Sequence, residues 1–358
     1  MPPGPEISVV VGAYRRSEHL ASAVRSVLGQ TLERDRFEIV VTKSFDDPGL
    51  DAAFATEGVR LRRDDEPVIG RWLRRAVRAA RAPVVAFLDD DDEFVPDRLA
   101  HLAELWREQP DLGFYRNRVA VIDAAGAPVP IERWRRHEVD AGLDRSGPLR
   151  RSAQDKTGLW EFGAQRSWAT FNSSTMAIRR ELLDGPVGDV FERTYQPDTF
   201  LFLAGLLAPF AVYLDDRRLT RYRYYGGNVS HRLRRLHDWA DSEHEMADLA
   251  RRGGEREYAV WLDREAAHYE RMYRGGLLLR RIGDGADRRE VARLTREYLR
   301  FLGAHPAERT LTVDAWAAGI YGVGYVGAPS LVRPIARARS AARAAAEGRP
   351  DPLDGPDG

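Results

Sequence analysis

Apolar positions along the first hundred residues fall in blocks whose period changes, and each change marks an element. Ile7-Ser8-Val9-Val10-Val11 is a short, almost wholly apolar run ended by Gly12, the pattern of a strand buried on both faces. Leu20, Val24, Val27 and Leu28 then recur at helical spacing and predict an amphipathic helix with Ser17 as its cap. Phe37-Glu38-Ile39-Val40-Val41 predicts a second strand and Val59-Arg60-Leu61 a third. A helix from about Gly70 to Arg81 leads into a strand from Val84 to Leu88. The order strand, helix, strand, strand, helix, strand predicts an α/β domain on a mostly parallel sheet with right-handed crossovers. In such sheets ligands gather outside the carboxyl ends of the strands. The turn Gly12-Ala13-Tyr14 and the run Asp89-Asp90-Asp91-Asp92 both fall at such ends, and so are expected to face one crevice.

Four consecutive carboxylates at the end of a buried strand repel one another. A divalent cation carrying a nucleotide diphosphate would offset them, because hard ions such as Mg²⁺ and Mn²⁺ take oxygen ligands and share them with phosphates. The plainer alternative is an acidic turn that caps the following helix.

Three stretches resemble the family 2 glycosyltransferases: Ile7 to Leu20, Ala23 to Thr31, and Phe87-Leu88-Asp89-Asp90-Asp91-Asp92-Glu93-Phe94 running on to Leu99. The resemblance spans about Ile7 to Ser230. It implies a GT-A fold, a nucleotide-diphosphate sugar donor bound through a D-x-D metal motif, and inversion at the anomeric carbon. Carried over by position, Asp91 would be the principal ligand of Mn²⁺ or Mg²⁺, Asp89 the second member of the pair, and Asp90 a neighbour of the ribose. Ala13 and Tyr14 would lie beside the base. Arg71 and Arg74 are candidates for the diphosphate, since a guanidinium donates two parallel hydrogen bonds to it; both are equally readable as solvated surface charges. Where the family has acids after the second strand, this chain has Thr42-Lys43-Ser44-Phe45. Lys43, one of two lysines beside Lys156, is therefore a candidate contact to phosphate or acceptor.

The acceptor half follows an arginine-rich stretch from Glu132 to Lys156, read as a loop or flap. Trp168 to Leu183 resembles the family's passage beneath the acceptor. In Tyr195-Gln196-Pro197-Asp198-Thr199 the family would have Glu-Asp opening a helix; Asp198 matches its catalytic base and Pro197 replaces the Glu. Proline is tolerated in a first helical turn. Asp198 could equally serve only as the cap of a helix from Thr199 to Leu207. In Leu219 to His231, Tyr225 stands where the family often has histidine, which leaves His231 as a candidate metal ligand.

Composition narrows the classes. Of the 358 residues, 43% are apolar, and 55 basic residues balance 55 acidic ones, so no global field recruits nucleic acid. The absence of cysteine removes disulfides, thiolate zinc sites and cysteine nucleophiles. Met1-Pro2-Pro3-Gly4-Pro5 lacks a signal pattern, and the expected location is cytoplasmic. Leu236 to Leu302 predicts about three helices, broken at Gly253-Gly254 and Gly283-Asp284-Gly285. Residues 315–332 are uncharged and rich in glycine and aromatics, and an arginine-bearing segment follows. This fits either a segment lying on the cytoplasmic face of a membrane or a Gly-rich helix pair packed on the catalytic domain.

These readings predict a GT-A catalytic domain over 1–231, with a nucleotide-sugar half to about 125 and an acceptor half from 126. A helical region over 232–347 and a disordered tail over 348–358 complete the chain. The implied function is metal-dependent, inverting transfer of a sugar to a glycan or lipid-linked acceptor. The rivals are a nucleotidyltransferase acting on sugar phosphates, disfavoured by the poor phosphate loop at Gly12 to Arg16, and a non-catalytic nucleotide-sugar binder.

Overall fold

The computed structural model describes residues 4–15, 17–129, 147–164, 168–224, 233–305 and 313–346. Two compact units make up the chain: Met1–Tyr225 with Glu245–Ala259, and Gly226–His244 with Val260–Gly358.

In the first unit, strands β1 (Ile7–Ala13), β2 (Phe37–Lys43), β3 (Arg60–Arg63) and β4 (Val84–Asp89) lie parallel in the order β3-β2-β1-β4. Val9, Val11, Ile39, Val41, Ala86 and Leu88 are all buried, and each large aliphatic among them contributes about 1.5–3 kcal/mol by leaving water. Helices α1 (Leu20–Leu28), α2 (Pro48–Thr56) and α3 (Ile69–Ala79) complete the crossovers. Two expectations are corrected here. Between β2 and β3 the chain forms α2, with Asp47 capping Leu50 N at 3.0 Å; its single buried side chain, Phe54, gives too little apolar periodicity to signal a helix. Ser17 does not cap α1 through its side chain: His19 holds the N-cap position, and Leu20 N donates to the Ser17 carbonyl at 3.2 Å.

The sheet continues through β5 (Glu93–Phe94), β6 (Leu112–Ile122), β7 (Leu149–Arg151), β8 (Met176–Arg179) and β9 (Ala211–Arg223), in the overall order β3-β2-β1-β4-β8-β6-β9-β5 with β7 on β9. β8 runs antiparallel to both β4 and β6, so the sheet is mixed on its acceptor side. β7 lies inside the stretch expected to be a loop; of that stretch, residues 132–146 lie outside the described part. Helices α4 (Arg98–Glu108), α5 (Trp160–Ala164), α6 (Gly185–Phe191) and α7 (Pro197–Leu207) accompany these strands.

Level strand ends position the site. Gly12 pairs with Thr42 on one side and Asp89 on the other. A side chain at Gly12 would meet the Trp72 ring at 2.4 Å, so α3 can pack against β1 there only over glycine.

The second unit is helical. It is built from parts of α8 (Leu233–Arg252) and α9 (Arg256–Asp284), then α10 (Arg288–Ala304), α11 (Val313–Gly327) and α12 (Pro329–Ala346). Leu278, Ile282, Val291, Tyr298, Leu302, Ala318, Tyr325 and Ala336 form its core.

Candidate active site

The acidic run begins where β4 stops. Asp90 N donates to the Gly12 carbonyl at 3.1 Å, and Asp89 N donates to Ser174 Oγ at 2.9 Å. Asp89, Asp91 and Asp92 each offer a carboxylate oxygen, and the three oxygens lie within 4.8 Å of one another. Such an all-oxygen set fits a hard divalent ion, whose opposite ligands stand about 4 Å apart. Asp90 and Asp91 are buried, and Asp89 is partly so.

Asp92, not singled out from the sequence, is the structural centre of the run. Its Oδ2 accepts from Asn172 Nδ2 at 2.7 Å and Ser174 Oγ at 2.6 Å, and its Oδ1 accepts from Arg223 N at 2.9 Å. Burial, then the charges of Asp91 and Asp89, push its carboxyl well above the usual range, and the two side-chain hydrogen bonds oppose them.

Two buried arginines supply part of the charge the run needs. Arg223 donates through Nε to the Asp91 carbonyl at 2.9 Å and through Nη2 to Glu93 Oε1 at 2.6 Å. Arg98 holds the Ser174 carbonyl and Thr220 Oγ1 (2.6 Å) through Nη1, with its guanidinium 3.9 Å over the Phe94 ring. Burial pulls Arg98 down to about 9, against the opposing effects of Tyr115 and Asp92; it is still a cation at neutral pH. The carboxylates are therefore offset partly from within the fold. Tyr222, whose hydroxyl is pushed up by burial and by Asp92, Asp91 and Asp89, lies close enough to feel the same charges.

Asn172 connects this cluster to the candidate base. Its φ of +63° is a conformation that asparagine tolerates better than most residues. While its side chain binds Asp92, its backbone N–H donates to Asp198 Oδ2 at 3.2 Å. Asp198 sits in the first turn of α7, behind Pro197, and Oδ1 accepts from Thr199 N at 2.9 Å. The N-cap position is Gln196, so Asp198 is inside the helix rather than its cap. Burial raises its carboxyl above the ordinary value, against the backbone N–H groups of Thr199, Asn172 and Asp198 itself. At the other end of α7, Lys156 Nζ donates to the carbonyls of Gly205 (2.8 Å), Leu206 (3.0 Å) and Ala208. A cation there complements the helix dipole.

Ala13 is buried at the end of β1, and its carbonyl accepts from Ser44 N at 3.1 Å. Tyr14 follows, partly buried, with the Arg15 guanidinium 5.3 Å from its ring. Lys43 is 4% exposed, and its ammonium is held by Asp51 Oδ1 and the Phe45 carbonyl, each at 2.8 Å; a phosphate would have to compete with that carboxylate. Arg71 pairs with Glu66 at 3.0 Å. Arg74 is buried and paired with Asp189 (2.9 Å) and Glu192 (3.0 Å) of the α6 region, so it is not a solvated surface charge. His231 lies outside the described residues.

Asp92, Asn172, Ser173, Ser174, Arg98 and Arg223 are not individually marked out by the sequence. Ser173 Oγ also binds Asp89 Oδ1 at 3.0 Å. The readable signal was Asn-Ser-Ser-Thr before a strand, a run of side chains suited to local turns and backbone capping.

Residues 8–182 match the model of the family described as "Glycosyl transferase family 2". The chain carries a family 2 glycosyltransferase domain over that stretch. It is 24% identical over 234 residues to an uncharacterized glycosyltransferase of Nostoc sp. (strain PCC 7120), a match covering 62% of this chain and 66% of that one. Among solved structures it is similar to S. aureus TarS 1-349 in complex with UDP-GlcNAc, with a TM-score of 0.52, 13% identity, and coverage of 96% of this chain and 92% of the other. TarS 1-349 without a named ligand matches with a TM-score of 0.50 and 13% identity over the same shares. These likenesses support the GT-A fold of this glycosyltransferase. The family assignment removes the nucleotidyltransferase alternative.

Proposed function

We propose that this glycosyltransferase moves a sugar from a nucleotide-diphosphate donor to an acceptor hydroxyl with inversion, using a divalent ion and a single carboxylate base. The observation that carries the reading is Asn172, which joins Asp198 to the Asp89–Asp92 cluster through one residue. Asp89 and Asp91, supported by Asp92, would hold Mn²⁺ or Mg²⁺. When bound, such an ion neutralises charge developing on the departing diphosphate.

The acceptor oxygen attacks the anomeric carbon opposite the diphosphate. As that bond forms, the carbon–oxygen bond to the phosphate breaks and nucleoside diphosphate leaves. The hydroxyl proton passes to a carboxylate oxygen of Asp198. Burial makes this carboxylate a stronger base than one in water, while hydrogen bonds from Thr199 and Asn172 fix its direction. Ala13, Tyr14 and Asp90, at the ends of β1 and β4, would line the nucleoside side. Lys43, held by Asp51, would support that wall indirectly. The acceptor class we favour is a glycan or lipid-linked glycan made on the cytoplasmic face of a membrane.

The test is nucleoside diphosphate release from UDP-, GDP- and dTDP-sugars, with and without Mn²⁺ or Mg²⁺, over a panel of glycan and glycolipid acceptors. NMR of the product then reads its anomeric configuration. Metal-dependent release with an inverted product supports the reading. A retained configuration, or full activity in chelator, contradicts it.

A further inference from the structure

Helices α11 and α12 bury small residues and present large aliphatic ones to solvent. α11 packs on α10 through glycine: a Cβ at Gly322 would come within 2.1 Å of Thr295 Oγ1, and one at Gly319 within 2.9 Å of Leu299 Cδ2. Ala318 and Tyr325 are buried, with the Tyr325 hydroxyl donating to the Ala286 carbonyl at 3.0 Å. Away from these contacts, Ile320 is 66% exposed and Val323 60%. α12 meets α11 where a Cβ on Gly324 would lie 3.2 Å from Val332, and it buries Ala336. Leu331 and Ile335 on α12 are nevertheless 71% and 50% exposed. Single exposed apolar residues are ordinary, but five of the eight large ones among the described residues fall on this helix pair, Val326 being the fifth. Concentration of that kind marks a contact surface.

Charge and side-chain type select the occupant. From Ala315 to Ala346 the sequence has no acidic residue, and α12 carries Arg333, Arg337, Arg339 and Arg343. Arg333 lies across the carbonyls of Gly283 and Asp284 at 3.2 Å each, and both Arg333 and Arg337 are exposed. Among the described residues, the exposed large apolar side chains of this pair are all aliphatic, whereas aromatic anchors dominate protein–protein hot spots. Aliphatic residues beside an all-basic helix suit the boundary between anionic headgroups and acyl chains. No helix among the described residues is long and apolar enough to cross a membrane, so contact through this pair would be with the surface.

We propose that α11 and α12 form a docking surface for an anionic lipid bilayer, with Ile320, Val323, Leu331 and Ile335 entering the interface. The test is flotation of the full chain with vesicles of phosphatidylcholine alone or with about one third phosphatidylglycerol. We expect binding to the anionic vesicles at least about tenfold tighter than to the neutral ones and weakened by salt. Combined Ile320→Ser, Val323→Ser, Leu331→Ser and Ile335→Ser should reduce it about tenfold or more while leaving the melting temperature near the wild-type value. Arg337→Glu with Arg343→Glu gives an independent variant if the first fails to fold, and should weaken anionic binding selectively. Absence of flotation with either vesicle, or binding that both variants retain, overturns the proposal. So does sedimentation showing a wild-type dimer that the serine variant dissolves without any vesicle binding, which would give the face to a second copy. Because the readout is vesicle binding, failure here leaves the transferase reading standing, and failure of that reading leaves this one standing.

Discussion

Asn172 and Asp198 are joined by a backbone hydrogen bond of 3.2 Å, made by a residue held at a φ of +63°. The same residue reaches Asp92 through its side chain at 2.7 Å, so a shift of this turn moves both ends of the site. Asn172→Gly keeps the backbone conformation and loses only the side-chain contacts; Asn172→Ala adds a left-handed penalty of about 1–2 kcal/mol. Melting should therefore fall further in the alanine variant. Steady-state kinetics should show kcat down at least about tenfold in both, with nucleotide affinity less affected. Wild-type kcat in Asn172→Gly would exclude a positioning role.

Asp198→Asn keeps the shape but cannot take a proton, and its single amide oxygen can accept from only one of Thr199 N and Asn172 N. We expect kcat to fall by about 10²–10⁴ with unchanged nucleoside diphosphate binding. The pH profile gives a second check. Burial raises the Asp198 carboxyl above the ordinary aspartate value, and only its ionised form is a base. Activity should thus rise with pH through that raised pKa and be lost below it. The acidic limb should disappear from the residual activity of Asp198→Asn.

Asp91 and Asp92 should separate in a stability assay. Asp92 accepts from three donors in the buried centre of the site, and an amide there would turn an NH₂ group on at least one of them. A buried donor left without a partner costs about 1–3 kcal/mol. Asp92→Asn should accordingly melt well below wild type without metal, and Asp91→Asn should melt close to it. Equal melting of the two would contradict the hub assignment.

At the opposite ends of the strands, Glu38 is buried beneath Arg60 and Arg81. Burial alone would raise its carboxyl, but hydrogen bonds from Ser8, Arg81 N, Arg60 and the Arg81 side chain outweigh it and hold the group at about 2. A depressed carboxyl stabilises the fold above its unfolded value and loses that contribution as pH falls toward its folded value. Glu38→Gln should lower the melting temperature at neutral pH, and the gap to wild type should close between about pH 4.5 and 2. A gap independent of pH would show that the ion pairs are not its source.

Much of the fold was legible because its signals are local. Val9 to Val11 and Val84 to Leu88 are apolar runs that match buried parallel strands, and the acidic run follows directly on one of them. What escaped depended on distant partners. Nothing next to Lys43 in the sequence announces Asp51 across the β2–α2 turn, and nothing next to Arg74 announces Asp189, 115 residues away. The internal offset of the aspartates by Arg223 lies 132 residues downstream of Asp91, so the local sequence shows their repulsion but not this cation. Asn172 was hidden for another reason: its role rests on one backbone dihedral. The glycines of α11 left open a membrane-surface segment or a packed Gly-rich helix pair, and Gly319 and Gly322 prove to be its close-packing face on α10.

The central claim is that the aspartate cluster binds a nucleoside diphosphate through a divalent ion, and one measurement addresses it directly. Wild type and Asp91→Asn are titrated with UDP, GDP and dTDP in Mn²⁺, Mg²⁺ or EDTA, and melting is followed. A ligand confined to the folded state adds about 2.7 kcal/mol at a hundredfold excess over its Kd. An upward shift is expected with one diphosphate, requiring metal and vanishing in Asp91→Asn. A shift that persists in EDTA and in Asp91→Asn, or no shift with any diphosphate in folded protein, would contradict it.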